Sequence, residues 1–302
     1  MRRTPAARVP PRAMKIPCPA KINLYLDVLG RRSDGYHDIV TVMQAIDLRD
    51  EVSIGIRGGG GIAMTCDAAG LPVDSRNLCV RAALGMARYA PQGRGVVIRL
   101  AKRIPVAAGL GGGSSDAAGV LLGLNRLWGA GLAPGALEEI AAGLGSDVPF
   151  FIHGGTARCG GRGEAVSPVR GGPDLAYVLL VPPVAVPTAG VYASLEGGGP
   201  GRAPGVAGLL EALARGDPRS VAARLYNRLE DAPGAHRGEV DRLKALLVSR
   251  GALGACMSGS GPAVFGLAAD MAGARRLAAA VSGEIGEGTF MHFGLTNVSA
   301  GG

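Results

Sequence analysis

The run Pro105-Val106-Ala107-Ala108-Gly109-Leu110-Gly111-Gly112-Gly113-Ser114-Ser115-Asp116 passes without interruption into an apolar-periodic segment that ends at Trp128. Leu121, Leu124, Asn125 and Trp128 fall at i, i+3, i+4 and i+7, the spacing of one helix face. The pattern predicts a helix over 117–128, with Ser114, Ser115 and Asp116 where an N-cap is expected. Gly109, Gly111, Gly112 and Gly113 permit positive φ and close approach of a ligand to the backbone. The helix start adds unpaired N–H groups and a partial positive charge. Together these make a cradle for an anion such as phosphate. An ordinary tight turn ahead of a helix uses the same residues, so the loop alone leaves both readings open. It does exclude two nucleotide-binding designs. A Walker A loop follows its glycines with a lysine, and none is present here. A dinucleotide fingerprint begun at Gly109 puts Ser114 at its last glycine position, and one begun at Gly111 puts Asp116 there. A nucleotide bound by this loop sits in another fold.

A chain of 302 residues can bury a full core and is long enough for two domains. No apolar stretch approaches the roughly 18 unbroken residues of a membrane helix. Residues 178–186 are apolar but interrupted by Pro182 and Pro183, so no membrane role is expected. The net charge of +8 points toward nucleic acid until it is located. Arg2, Arg3, Arg8 and Arg12, with no acid among residues 1–13, supply half of it. With Pro5, Pro10 and Pro11 and no apolar h-region, residues 1–13 read as a disordered basic tail, and Met14 as a working start. Five cysteines, odd in number and never spaced Cys-x-x-Cys, suggest neither a disulfide framework nor a zinc site and fit a reducing cytoplasm. His37, His153, His236 and His292 are scattered, which argues against metal binding through them.

Residues 16–29 read as a strand on which Lys21 and Asn23, two apart, share a face. The plain reading is an edge strand with a solvated polar side. Asp34-Gly35 is a turn signal, but a turn does not account for Tyr36 and His37 behind it. Strands are expected over 41–56 and 96–100, a helix over 77–89, and another over 136–144 with Gly145 as its C-cap. Asp147 is then the one carboxylate between that stop and the apolar run Val148-Pro149-Phe150-Phe151. Capping or turning the chain is the commoner task of an aspartate; partial desolvation would make it a usable base. Gly154-Gly155 and Gly160-Gly161-x-Gly163 place a domain junction near 155–170, dividing the chain into the tail, an N-terminal domain 14–163 and a C-terminal domain 164–302. Beyond it, strands are expected at 177–186 and 289–295 and helices at 207–214, 220–229, 240–249 and 272–281. A second glycine loop, Ser258-Gly259-Ser260-Gly261-Pro262, leads into a further strand. There is no internal repeat.

Three separated blocks, Pro19-Ala20-Lys21-Ile22-Asn23-Leu24, residues 105–116 and residues 258–262, resemble in order the three motifs of the GHMP small-molecule kinase superfamily. Asp34-Gly35-Tyr36-His37, the triple glycine Gly111-Gly112-Gly113 and Ser146-Asp147-Val148-Pro149-Phe150-Phe151 narrow the resemblance to the branch that phosphorylates 4-diphosphocytidyl-2-C-methyl-D-erythritol. It spans essentially residues 14–300. The resemblance implies an α+β fold of two domains, the first of the ribosomal protein S5 domain 2 type and the second ferredoxin-like, with the active site in the interdomain cleft. It implies transfer of the ATP γ-phosphoryl group to the tertiary 2-hydroxyl of the methylerythritol moiety, on the non-mevalonate route to isoprenoid precursors. The expected partners are ATP, the cytidine diphosphate substrate and Mg2+, with no nucleic acid and no membrane, in a cytoplasmic monomer or weak dimer.

Carried over residue by residue, the resemblance makes Asp147 the base and Lys21 its charged partner. Residues 105–115 hold the triphosphate, with Asn77 and Lys102 near the nucleotide. Asn23, Tyr36, His37 and Tyr192 bind the substrate, the two tyrosines as faces for the cytosine and His37 reading its edge. Ser115 is the candidate magnesium ligand, and Asp116 reads as a helix cap. The chemistry agrees with these roles. Phosphoryl transfer asks chiefly for alignment and charge neutralisation. A positioned aspartate suits a tertiary alcohol, a poor nucleophile, and a lysine beside it keeps the carboxylate ionised. Two departures stand out from the branch's pattern: Tyr192 where phenylalanine is frequent, and Ala263 where a threonine is usual. The rivals are a homoserine- or mevalonate-type kinase or a diphosphomevalonate decarboxylase, against which Asp34-Gly35-Tyr36-His37 argues, and a nucleic-acid-binding protein, for which a coherent basic face is lacking.

Overall fold

A computed structural model describes residues 13–184, 186–195, 203–234 and 237–296. The expected basic tail up to residue 12, the tip of the 197–205 loop and His236 lie outside the described residues. In chain order the elements are β1 (Met14–Arg31), β2 (His37–Gly58), β3 (Ile62–Cys66), α1 (Leu78–Gly85), β4 (Arg94–Ala101), α2 (Gly112–Leu127), α3 (Pro134–Ala142), α4 (Val148–His153), β5 (Thr156–Gly160) and β6 (Ala165–Val169). There follow β7 (Ala176–Val181), α5 (Thr188–Ala193), α6 (Val206–Arg215), α7 (Pro218–Ala222), β8 (Tyr226–Asn227), α8 (Arg237–Ser249), β9 (Gly254–Met257), β10 (Val264–Ala268), α9 (Met271–Val281) and β11 (Phe290–Leu295). Among the described residues no helix is long and apolar enough to cross a membrane.

The first sheet runs β3-β4-β2-β1-β8, with β5 pairing to β2 and β6 to β5. The β5–β6 hairpin therefore belongs to this sheet, up to Val169. β1 lies between β2 and β8, and its register shifts at Pro19/Ala20 and Asn23/Tyr25. That central position overturns the solvated-edge reading of Lys21 and Asn23, because residues 18–26 are buried without a break. Ala20, Ile22 and Leu24 enter a core shared with Leu179, Phe265 and Leu267 of the second half, while Cys18, Met43 and Ala45 join α1, α2 and α4 in a separate core. The two halves are thus packed through the sheet itself. Ile46 also bridges to Thr296, and the Tyr177 hydroxyl donates to Asp47 Oδ1 at 2.6 Å.

The second sheet is antiparallel with the order β11-β7-β10-β9. Numbered within that half, the order is four-one-three-two, the split β-α-β-β-α-β arrangement expected for the ferredoxin-like domain. α8 and α9 complete it through Leu243, Leu247, Leu277 and Val281.

Several expected boundaries move. α2 starts at Gly112 with Gly111 as its N-cap at φ 69°, so Ser114, Ser115 and Asp116 lie inside its first turns rather than ahead of them. α3 ends on Gly143, not Gly145. β7 stops at Val181 because Pro182 and Pro183 cannot donate to a ladder. The helix expected over 220–229 is the short α7 followed by β8 and a 3-10 turn over Arg228–Asp231. There Asn227 donates to the carbonyls of Met257 and Gly259, both at 2.8 Å, and accepts from Leu229 N. Those tertiary bonds outweigh a weak helical propensity. β3, β5 and β6 are five residues each and carry too little periodicity to be seen in the sequence.

Candidate active site

A cleft of about 1060 Å³ collects Lys21 and Asn23 from β1, His37 from β2, the glycine loop, the start of α2, Asp147 ahead of α4, Thr188 and Tyr192 from α5, and Gly259 and Ser260 of the second glycine loop. That volume is at the top of the range of a single small-molecule site, large enough for two ligands side by side.

The glycine loop is held by close backbone approaches. A Cβ at Gly109, whose φ is +76°, would stand 2.1 Å from the Ser258 carbonyl oxygen, so only glycine fits. Ala107 has φ 55°, a rare strained conformation for a residue with a side chain. Gly112, Gly113 and Ser114 in the first turn of α2 line the cleft, where helix-start N–H groups lack intrahelical partners. Ser115, expected among the nucleotide and magnesium ligands, does not line it. Its buried hydroxyl has no partner and borders a separate cavity of about 70 Å³ with Cys18 and Gly119. An ordered water fits that space.

Lys102 lines the cleft beside Gly112, where an added Cβ would be 3.2 Å from Nζ. Its ammonium is clasped by Asp50 and lies 3.0 Å from Asp116 Oδ2. Burial works against that charge, but Asp116 and Asp50 outweigh it and hold the Lys102 pKa above the usual lysine value. Asp116 is pushed up to about 7, first by burial and then by the Asp50 charge, against the pull of Lys102. It is an ion-pair partner rather than the expected helix cap. Asp50 also accepts from the backbone N–H groups of Arg103 at 2.5 Å and Ile104 at 2.9 Å, tying β2 to the entry of the loop. Asn77 borders the cleft, but its side chain is spent on capping α1 through Cys79 N at 2.9 Å and on the Pro72 carbonyl at 2.8 Å.

Lys21 is the buried centre. Nζ donates to Asn23 Oδ1 at 2.6 Å and to the Gly109 carbonyl at 2.8 Å, and stands 3.8 Å from Asp147 Oδ2. Burial lowers its pKa below the ordinary lysine value, with Asp147 opposing the shift. Asp147 sits at the N-cap position of α4 but makes no side-chain cap bond, and about a third of its side chain remains exposed. Its carboxylate is therefore available to a ligand. The capping reading of this aspartate does not hold.

At the other end, the rings of His37 and Tyr192 are 5.4 Å apart and tilted by 32°. Tyr36 is 54% exposed, and the Arg162 guanidinium covers one of its faces at 4.7 Å. All four residues line the cleft. Ala263, the second departure, is fully buried and its side chain lies away from the cleft walls. Sequence reasoning missed Thr41, Asp50 and Arg162, and assigned no role to Ser258 although it lies in a quoted motif. Ser258 Oγ donates to the Gly109 carbonyl at 3.0 Å, the same oxygen that Lys21 uses. Thr41 had a visible signal, its place in the alternation of β2; Arg162, in a glycine-rich stretch, had none. Among the described residues no group of three or more His, Cys, Asp or Glu side chains is placed to hold a metal ion.

Comparison with known proteins agrees across both halves. Residues 77–155 match the GHMP kinases N terminal domain, and residues 209–287 match GHMP kinases C terminal. The chain is similar to the 4-diphosphocytidyl-2-C-methyl-D-erythritol kinase of Pelotomaculum thermopropionicum, with 46% identity over 86% of this chain and 91% of that one. The enzyme of the same name from Shouchella clausii is 44% identical over 83% and 84%. A crystal structure of 4-(cytidine 5'-diphospho)-2C-methyl-D-erythritol kinase superposes with a TM-score of 0.78 at 36% identity, covering 94% of this chain and all of the other. A homoserine kinase from Cytophaga hutchinsonii shares the fold, with a TM-score of 0.73 at 20% identity over 97% of each chain.

Proposed function

The chain belongs to the GHMP kinase family, and from that premise we propose that it transfers the γ-phosphoryl group of ATP to the 2-hydroxyl of 4-diphosphocytidyl-2-C-methyl-D-erythritol. The observation that carries the mechanism is the pairing of Lys21 Nζ and Asp147 Oδ2, 3.8 Å apart, in the same cleft as the start of α2. The choice of substrate rests on the 46% identity to a kinase of that name.

In this reading the triphosphate lies on the backbone N–H groups of the glycine loop and the first turn of α2, with Lys102 held beside Gly112 by Asp50 and Asp116. Asp147 takes the proton of the attacking hydroxyl as the oxygen bonds to phosphorus. Lys21, 3.8 Å from that carboxylate, faces the oxygens of the transferring group. Tyr36 and Tyr192 offer faces to the cytosine, His37 supplies a polar contact, and Arg162 holds the outer side of Tyr36, while the buried Asn23, expected to bind the substrate, is spent on Lys21 and Thr41. Magnesium, when present, would neutralise phosphate charge. It suits this site as an ion carried on the triphosphate, since Ser115 turns away from the cleft and Asp116 is taken by Lys102.

We divide the chain near residue 170 rather than after 163, because β6 stays with β5. The five free thiols fit a reducing compartment. The partners are small molecules and not nucleic acid, in a monomer or weak dimer. Sedimentation tests the assembly state, and removal of residues 1–13 followed by retention on immobilised nucleic acid tests the partner class. The deciding experiment for function is coupled ATP consumption with the cytidine diphosphate substrate, homoserine and mevalonate in turn. Turnover of the first alone is expected; turnover of either other alcohol alone reassigns the enzyme.

A further inference from the structure

We propose that Thr41 is a positioning residue for phosphoryl transfer, setting through Asn23 the direction in which Lys21 presents its third proton. Thr41 is fully buried in β2. Its hydroxyl has one proton to give and lone pairs to accept with. The Tyr25 carbonyl, 2.6 Å away, can only accept, so it receives that proton. Toward Asn23, 2.8 Å away, the same oxygen is then an acceptor, and only the amide nitrogen of Asn23 can donate to it. This settles the amide orientation by donor and acceptor accounting. Nδ2 faces Thr41 and Oδ1 faces Lys21.

The consequence falls on the ammonium. One Lys21 proton goes to Asn23 Oδ1 at 2.6 Å and a second to the Gly109 carbonyl at 2.8 Å. The third is left for the side of Asp147 and the transferring phosphoryl group. Without the Thr41 hydroxyl, Asn23 Nδ2 has no acceptor in a buried site, and the amide is free to turn. A turned amide points its own N–H groups at the ammonium, donor against donor, and displaces Nζ. A misplacement of about 1 Å in such a group, caused by a substitution away from the reacting atoms, costs roughly a hundredfold in rate.

Thr41→Val removes the hydroxyl at nearly constant shape, and Thr41→Ser restores it without the methyl group. The readouts are the single-turnover rate of phosphoryl transfer and the separate affinities for ATP and the alcohol substrate. The valine variant is expected to be slower by about tenfold to a hundredfold, with both affinities within about twofold of wild type because no ligand contact is lost. The serine variant should recover to within about threefold of the wild-type rate. A valine variant as fast as wild type overturns the proposal, as does a serine variant as slow as valine, or a loss that appears in the affinities instead of the rate. Neutron diffraction on the unmodified chain tests it with no substitution: amide hydrogens directed at the Thr41 oxygen support it, and the amide oxygen in that place overturns it. The inference rests on the roles given to Lys21 and Asp147 above. An unmodified chain that turns over no alcohol sinks those roles, whereas an active chain with an indifferent valine variant sinks the positioning role alone.

Discussion

Gly109 and Ser258, from opposite halves of the chain, meet with no room between them for a side chain. A Cβ on the glycine would stand 2.1 Å from the Ser258 carbonyl oxygen and 3.2 Å from Gly261 N. The Ser258 hydroxyl and the Lys21 ammonium then bond to the same Gly109 carbonyl, at 3.0 and 2.8 Å. One backbone contact therefore joins the phosphate loop, the second glycine loop and the buried lysine.

Gly109→Ala is expected to damage both folding and nucleotide binding. Positive φ costs a residue with a side chain about 1–3 kcal/mol, and the clash with backbone adds to that because neither loop can yield cheaply. Denaturant titration should show the stability loss, and ATP affinity should fall with it. A variant with wild-type midpoint and affinity would show that the two loops do not depend on this contact.

Asp147→Asn keeps the side-chain shape and removes the proton acceptor. Turnover should fall by at least about a hundredfold with ATP affinity little changed, the pattern of a lost general base. Steady-state kinetics and nucleotide titration measure the two quantities, and normal turnover would remove Asp147 from the mechanism.

The rate should fall at high pH earlier than an ordinary lysine would dictate. Burial lowers the Lys21 pKa below 10.5. The ammonium is therefore complete at low pH and is lost as pH rises through that lowered value. A descending limb in the pH dependence of kcat/KM below 10.5 is the expected result. Asp147 opposes the shift, so in Asp147→Asn the limb in the residual activity should move to still lower pH. A limb at the value of a solvent-exposed lysine in both proteins would separate Lys21 from the rate.

Ser115→Ala should leave activity and its magnesium dependence within about twofold of wild type. The hydroxyl lies buried behind α2 without a hydrogen-bond partner, so removing it strands no other group. A large rise in the magnesium concentration needed for activity would restore Ser115 as a ligand and indicate that the start of α2 rearranges when nucleotide binds.

The sequence by itself determined the local, backbone-borne features of this protein. Glycines before a periodic apolar run specify a loop that can approach a ligand and a helix that follows it, whatever surrounds them. Two-residue spacing put Lys21 and Asn23 on one face of a strand, and the order of the motifs carries the family resemblance. Only the tertiary structure decided what those residues face. Because β1 lies between β2 and β8, an alternation that suits a solvated edge became a buried polar centre. Because α2 begins at Gly112, one residue of its first turns, Ser114, opens on the cleft and the next, Ser115, turns away. The clasp of Asp50 and Asp116 on Lys102, and the bonds from Thr41 and Ser258 that surround Lys21, join residues far apart in the chain. Burial and long-range hydrogen bonding depend on which strands become neighbours, and local periodicity carries no record of that choice.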